Sequence, residues 1–273
     1  MPTLPIYQVD AFADRPFAGN PAAVCPLEAP IPEAVMQEIA AENNLSETAF
    51  VLRDGNAFAL RWFTPTVEVD LCGHATLAAG FVLMTEIEPA RTEITFRTRS
   101  GLLAVRRGDA GEFVLDFPAL PPAAVDAETT ARVARMLDAK PTEVLRAPVG
   151  TLLAVLDDAA TVRRAIPDLA AVAQTGTSLC ITAPGGDEPQ PVDFVSRYFA
   201  PAHGIPEDPV TGSAHCILTP YWAARFGKTS LRARQVSRRG GELSCALTRD
   251  RVLGDRVLIG GQARLVITGT LRY

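Results

Sequence analysis

The run Glu68-Val-Asp-Leu-Cys-Gly-His-Ala-Thr-Leu-Ala-Ala-Gly-Phe-Val-Leu-Met84 returns, altered, as Glu207-Asp-Pro-Val-Thr-Gly-Ser-Ala-His-Cys-Ile-Leu-Thr-Pro-Tyr221. In each copy an acidic turn leads to Gly-His-Ala (73–75) or Gly-Ser-Ala (212–214). A mostly apolar run follows without strand-like alternation, which predicts a buried helix. Upstream lies a second echo, Arg61-Trp-Phe-Thr-Pro65 against Arg197-Tyr-Phe-Ala-Pro201, and downstream a third, 98–105 against 237–246. Three echoes in one order predict two copies of one structural unit.

The bulk properties bound the function. A chain of 273 residues can bury one large core or two ordinary ones. Its 48% hydrophobic and 21% charged residues predict a soluble globular protein. A net charge of -5 and a pI near 5.3 disfavour nonspecific binding to nucleic acid or anionic membranes. The basic run 232–239 alternates, and reads as the solvent face of a strand rather than a nucleic-acid patch. No apolar run is long enough to span a bilayer, and the N-terminal stretch lacks the pattern of a secretory signal. Cys25, Cys72, Cys180, Cys216 and Cys245 are scattered without metal-type pairing, and predict reduced thiols in a cytoplasmic protein.

Along the chain, 4–10 reads as a strand broken by the turn chemistry of 17–21. A helix is expected at 32–41, stopping at Asn43-Asn44, then a hairpin of 48–52 and 57–63. The first central helix follows at about 73–85, then strands at 93–99, 102–106 and 113–117. Residues 117–122, with three prolines in six, are the linker candidate. Beyond it, helices are expected at 127–137 and 167–173, and strands at 151–156, 178–182 and 192–199. The second central helix, 213–226, carries Pro220 as an expected kink. Strands at 232–237, 242–248, 256–259 and 263–271 close the chain. The fold class is α+β: two pseudo-symmetric lobes, 1–118 and 123–273, each a curved, mostly antiparallel sheet around a central helix, with the last strand free to pack back on the first lobe.

The repeat has a chemical consequence. Gly73 and Gly212 stand where a loop enters a helix whose first N–H groups have no intrahelical partner, and a missing side chain lets a ligand approach the backbone. If the lobes face one another, both helix starts line one cleft suited to a carboxylate or enolate-like anion. Otherwise these glycines only permit tight packing. His74, at a helix start, is disfavoured as imidazolium and suited to proton exchange near neutral pH, or else bonds a loop carbonyl. Ser213 is either a polar contact or a capping residue. Glu47 is either a solvated carboxylate or one carried to the rim of a cavity, where desolvation raises its pKa and fits it to remove a proton from carbon. Asp208 is either an acid/base group or a loop carboxylate serving its turn.

Gly19-Asn-Pro-Ala-Ala-Val24, Asn44-Leu-Ser-Glu-Thr-Ala-Phe50, Phe63-Thr-Pro65, 68–76 and Asp208-Pro-Val-Thr-Gly-Ser-Ala-His215 together resemble the phenazine-biosynthesis PhzF-like family, within the diaminopimelate epimerase superfamily. These motifs run from residue 19 to about 245. The resemblance implies two pseudo-symmetric lobes with a cleft between them, isomerase chemistry, no cofactor, and a homodimer; no metal site is expected. Carried over by position, it implies Glu47 as acid/base carboxylate, and His74, Asp208 and Ser213 as assisting polar residues. The anion-binding backbone groups fall on Gly73, His74, Gly212 and Ser213. The racemase branch uses two cysteines, each just before a helix-start glycine; here those positions hold Cys72 and Thr211. A hydroxyl cannot replace a thiolate as base, so two-thiol racemisation is not expected, and Cys72 is expected as a small packed residue.

The leading expectation is a cofactor-independent isomerase moving a proton on a small anionic metabolite. The alternatives are an epimerase using Glu47 and Asp208 or His74 on opposite faces, and a non-catalytic ligand-binding or scaffolding protein. A cysteine hydrolase built on Cys72 is the weakest.

Overall fold

In this computed structural model, which describes residues 1–186 and 191–273, the chain forms two units, Met1–Asp116 with Gly260–Tyr273, and Phe117–Ile259. The first unit runs β1 (Thr3–Ala11), β2 (Asn20–Leu27), α1 (Glu33–Asn43), β3 (Glu47–Asp54), β4 (Ala57–Phe63), β5 (Glu68–Val69), α2 (Gly73–Val82), β6 (Glu93–Thr98), β7 (Gly101–Arg107) and β8 (Phe113–Pro118). β1 pairs antiparallel with β2, β2 parallel with β3, and β3 antiparallel with β4. β4 pairs parallel with β6, which is antiparallel to β7, and the two-residue β5 lies antiparallel on β4.

The strand β2 runs against the sequence reading, which placed only a turn there. It contains Pro21 and Pro26, and proline removes a ladder N–H. Its register explains the tolerance. Pairing with β1 covers 20–24 and pairing with β3 covers 22–27, so each proline is paired on one side only. α1 ends where expected, on Asn44 in the left-handed region at φ 48°.

α2 is buried from His74 to Gly80 because its residues there are small or apolar. Gly80 lets the helix lie against β7: a Cβ there would sit 2.6 Å from a methyl of Val105. One π-helical turn, Leu83–Ile87, carries the chain out of α2.

The second unit runs β9 (Ala123–Ala124), α3 (Ala127–Leu137), β10 (Glu143–Arg146), β11 (Leu152–Val155), α4 (Ala159–Arg164), α5 (Leu169–Ala173), β12 (Leu179–Pro184), β13 (Phe194–Ala200), β14 (Ile205–Asp208), α6 (Gly212–Phe226), β15 (Ser230–Gln235), β16 (Gly241–Asp250) and β17 (Gly254–Gly261). β18 (Ala263–Arg272) belongs to the first unit, antiparallel to β1. Asp126, Asp158 and Asp168 cap α3, α4 and α5 through their side chains. The core of this unit packs α3 residues Val133, Met136 and Leu137 with Leu152, Ile181 and Val195 of the strands.

The succession of pairings is that of the first unit. β10 is antiparallel to β11, β11 parallel to β12, β12 antiparallel to β13, β13 parallel to β15, and β15 antiparallel to β16, with the short β14 antiparallel on β13. The echoed sequence is thus one topology used twice, in a mixed α+β fold. The echoes also acquire a physical meaning. Arg61 of β4 makes two hydrogen bonds to Glu68 of β5, at 2.7 and 2.6 Å. Arg197 of β13 does the same to Glu207 of β14, at 2.7 and 3.0 Å. In each unit this ion pair pins the acidic strand that precedes the central helix.

Pro220 lies within α6, which continues to Phe226. Its missing N–H would have bonded the Cys216 carbonyl four residues back. The Leu120 amide takes that carbonyl instead, at 2.9 Å, so the proline-rich segment after β8 supplies the lost donor. Arg232 and Arg234 both pair with Glu242 on the neighbouring strand, while Ala233 and Gln235 between and after them point inward. Among the described residues no helix is long and apolar enough to cross a membrane.

Candidate active site

In the first unit the parallel register of β2 and β3 sets Glu47 opposite Ala22. Asn20, two residues before Ala22, shares its face of β2. The N-terminus of α2, which packs on β2, brings Cys72 and His74 to the same place. Glu47 is 8% exposed, His74 5%, and Asn20 and Cys72 are buried. Glu47 is therefore not a solvated surface carboxylate.

The imidazole of His74 uses both edges. Its Nε2 lies 3.2 Å from Glu47 Oε2, and its Nδ1 lies 3.2 Å from Asn20 Nδ2 and 3.5 Å from Cys72 Sγ. The Glu47 contact is close but not aligned as a hydrogen bond, and neither atom has an aligned partner among the described residues. Burial opposes an imidazolium at His74; the Cys72 sulfur, when ionised, and the Glu47 carboxylate favour it. The balance holds His74 above the ordinary imidazole value. Burial, with Glu47 adding to it, pushes Cys72 up to about 11, so at neutral pH it is a thiol and its pull on His74 is absent. What remains acting on His74 is the carboxylate against burial. The positive end of the α2 dipole, expected to keep His74 neutral, is opposed here by a partner the sequence does not show beside it.

Ligand atoms of Glu47, Cys72 and His74 all lie within 4.8 Å of one another, close enough for a metal. The ring, however, turns Nε2 to Glu47 and Nδ1 to Cys72.

In the second unit Asp208 ends β14 and Thr211 is the residue before α6. The Thr211 hydroxyl donates to Asp208 Oδ2. Gln235, fully buried at the end of β15, accepts from the Thr211 amide at 2.8 Å and donates to the Asp208 carbonyl at 2.7 Å. Thr211 thus holds the Asp208 carboxylate through its hydroxyl. Gly212 is the first residue of α6 and Ser213 the second. Ser213 is exposed and is not the capping residue, which is Thr211. The structure brings Glu47 and His74 together beside Gly73, and Asp208 together with Gly212 and Ser213 at the start of α6.

His215 is a further buried histidine. Its Nδ1 lies 2.9 Å from the Thr211 carbonyl and Nε2 has no partner among the described residues. Burial lowers its pKa to about 4, so the folded state holds it neutral while the unfolded chain protonates it near 6.5. The stability this contributes is complete above the unfolded value and is lost as pH falls from there toward 4. Between pH 7 and pH 5 the loss is about 2 kcal/mol. His74 and the other titrating groups also contribute to the pH dependence of the whole protein. The His215 share is therefore read as the difference in urea-unfolding free energy between wild type and His215→Gln, measured at both pH values. Equal pH dependence in the two proteins would contradict it.

Asn20, Ser46 and Gln235 were not singled out from sequence. Asn20 lay within the quoted motif at 19–24. Gln235 carried a usable signal, since alternation in the basic run that exposes Arg232 turns Gln235 inward.

The chain matches the family described as phenazine biosynthesis-like protein over residues 9–269. It is similar to an uncharacterized isomerase of Pseudomonas aeruginosa, with 50% identity over 270 residues covering 98% of each chain. A crystal structure of a phenazine biosynthesis protein of the PhzF family from Enterococcus faecalis superposes with a TM-score of 0.92 at 45% identity, covering 100% of both chains. A probable proline racemase from Agrobacterium radiobacter K84 shares the fold, with a TM-score of 0.62, 14% identity and coverage of 99% and 92%.

Proposed function

This chain belongs to the phenazine biosynthesis-like, PhzF-type family and is an isomerase, and on that premise we propose that Glu47 moves a proton between carbon atoms of a small anionic metabolite without a cofactor. The observation that carries the reading is a buried carboxylate set 3.2 Å from an imidazole at the start of a buried helix. Glu47 takes the proton as its C–H bond breaks, and the electron pair passes into the substrate's conjugated carboxylate as an enolate-like anion. The same carboxyl returns the proton to another carbon, so nothing is oxidised or reduced overall. His74 holds the Glu47 carboxylate and relays protons. The free N–H groups at Gly73 and His74 stabilise the developing anion, as donors aimed at growing charge do. In the second unit we assign Asp208 an assisting proton-holding role, and Gly212 and Ser213 contacts to an anionic group.

The test is exchange with solvent deuterium, followed by proton NMR over a panel of small cyclic and conjugated carboxylates. Isomerisation with the label absent from recovered substrate is the expected result. Label in both recovered substrate and its mirror-related product would replace the reading with epimerisation. A bound carboxylate that neither isomerises nor exchanges would remove Glu47 from the role.

A further inference from the structure

We propose that Asn20 is a positioning residue that fixes neutral His74 as the Nε2–H tautomer and so places the ring proton on the edge beside Glu47. The geometry lies in one chain of groups. Asn20 Oδ1 lies 3.4 Å from the Ser46 hydroxyl, and an amide oxygen only accepts, so Ser46 donates to it. That contact orients the amide and turns Nδ2, which only donates, to His74 Nδ1 at 3.2 Å. The Cys72 thiol, protonated at neutral pH, is a second donor to the same nitrogen at 3.5 Å. Nδ1 therefore presents its lone pair, and the ring proton belongs on Nε2, facing Glu47 Oε2. The opposite tautomer would bring a nitrogen lone pair against a carboxylate oxygen at 3.2 Å on one edge, and an N–H against two donors on the other.

Asn20 is built to hold this orientation. It is fully buried and opens β2, in register with Ala11 of β1. The residue before it, Gly19, has φ +64°, and a Cβ there would lie 2.2 Å from the Ala11 carbonyl oxygen. The Gly-Asn order of the motif thus has a cause: only glycine makes that turn, and the turn sets the amide. The consequence rests on the proton-transfer reading above. A proton on Nε2 lies on the ring edge nearest the Glu47 carboxylate, 3.2 Å away, and such pre-set placement is where positioned acid/base groups gain their advantage.

The experiment needs no substrate. Protein labelled with 15N in histidine has only three rings to resolve, His74, His203 and His215, and a His74→Gln variant assigns the first. Long-range proton–nitrogen spectra taken from about pH 6 to about pH 9.5 separate the two tautomers and the imidazolium. The expected result is a neutral His74 with a pyridine-type Nδ1 and a pyrrole-type Nε2. In Asn20→Asp a carboxylate accepts from Nδ1, so at the same pH Nδ1 switches to pyrrole type. A wild-type ring whose neutral form carries its proton on Nδ1 would overturn the proposal. So would a ring doubly protonated throughout, or an Asn20→Asp spectrum unchanged from wild type. If Asn20→Asp does not fold, the wild-type spectrum decides alone. The tautomer found as expected in a protein that fails the deuterium test would leave the positioning intact and sink only the proton-transfer reading.

Discussion

Replacing Glu47 by glutamine is expected to lower turnover by roughly 10²–10⁴-fold, the range for losing a positioned general acid or base. The middle of that range corresponds to about 4 kcal/mol of transition-state stabilisation. Glutamine keeps the volume and planarity of the side chain, so β3 and its pairing with β2 have no reason to change. Substrate affinity should hold to within a few-fold, because the anion contacts assigned to Gly73 and His74 are backbone groups. The loss should thus fall on kcat. A second readout comes without substrate: the Glu47 carboxylate is what favours a charged His74 at neutral pH, and burial opposes it. In Glu47→Gln the His74 titration should move to lower pH, visible by NMR. Turnover within threefold of wild type in a folded Glu47→Gln protein would end the assignment. An unmoved His74 titration would mean that the 3.2 Å pair does not interact in solution.

Arg197→Met is expected to be the most destabilising single change among those considered, by about 3 kcal/mol. The guanidinium makes five hydrogen bonds. Two go to Glu207, and three to the carbonyls of Val162, Arg163 and Ala165, at 3.2, 3.3 and 2.6 Å. Those carbonyls close the C-terminal end of α4, where a helix has acceptors without intrahelical donors. Methionine fills much of the space and supplies no donor, leaving a half-buried carboxylate and a helix end unpaired together. A loss of this size lowers the melting temperature by roughly 6–12 °C in a chain of this length. Because Glu207 immediately precedes Asp208, activity should fall as well. The double variant Arg197→Met/Glu207→Met should recover part of the stability, since removing both charges is milder than stranding one. Arg61→Met should cost less: Arg61 is the more exposed of the two arginines, and Glu68 keeps a second cation in Arg99. A melting temperature for Arg197→Met within 2 °C of wild type would show that the echoed ion pair is ornamental.

Much of the architecture could be read before the coordinates. Helical spacing located α1, and apolar runs without alternation located both central helices, because such patterns are local properties of the chain. The helix starts at Gly73 and Gly212 were legible for the same reason: a loop ending in glycine before a small-residue run has few other conformations. β2, β10 and α4 escaped. β2 hid behind two prolines that its two-sided register tolerates, and β10 and α4 are too short to show a period. Glu47 and His74 were named separately, and nothing in their spacing says that they touch.

Sequence alone determined that the chain holds one unit twice, that each unit encloses a mostly apolar helix, and that an acidic stretch precedes each helix. These follow from local patterns and from repetition along the chain. Tertiary structure decided the rest: the parallel pairing that sets Glu47 opposite Ala22, the arrival of His74 between Glu47 and Asn20, and the capture of the Cys216 carbonyl by Leu120. Those partners lie 54, 27 and 96 residues apart in the chain, as His74 and Asn20, His74 and Glu47, and Cys216 and Leu120. At such separations only strand register and helix packing determine which polar groups meet, and residue order carries no record of either.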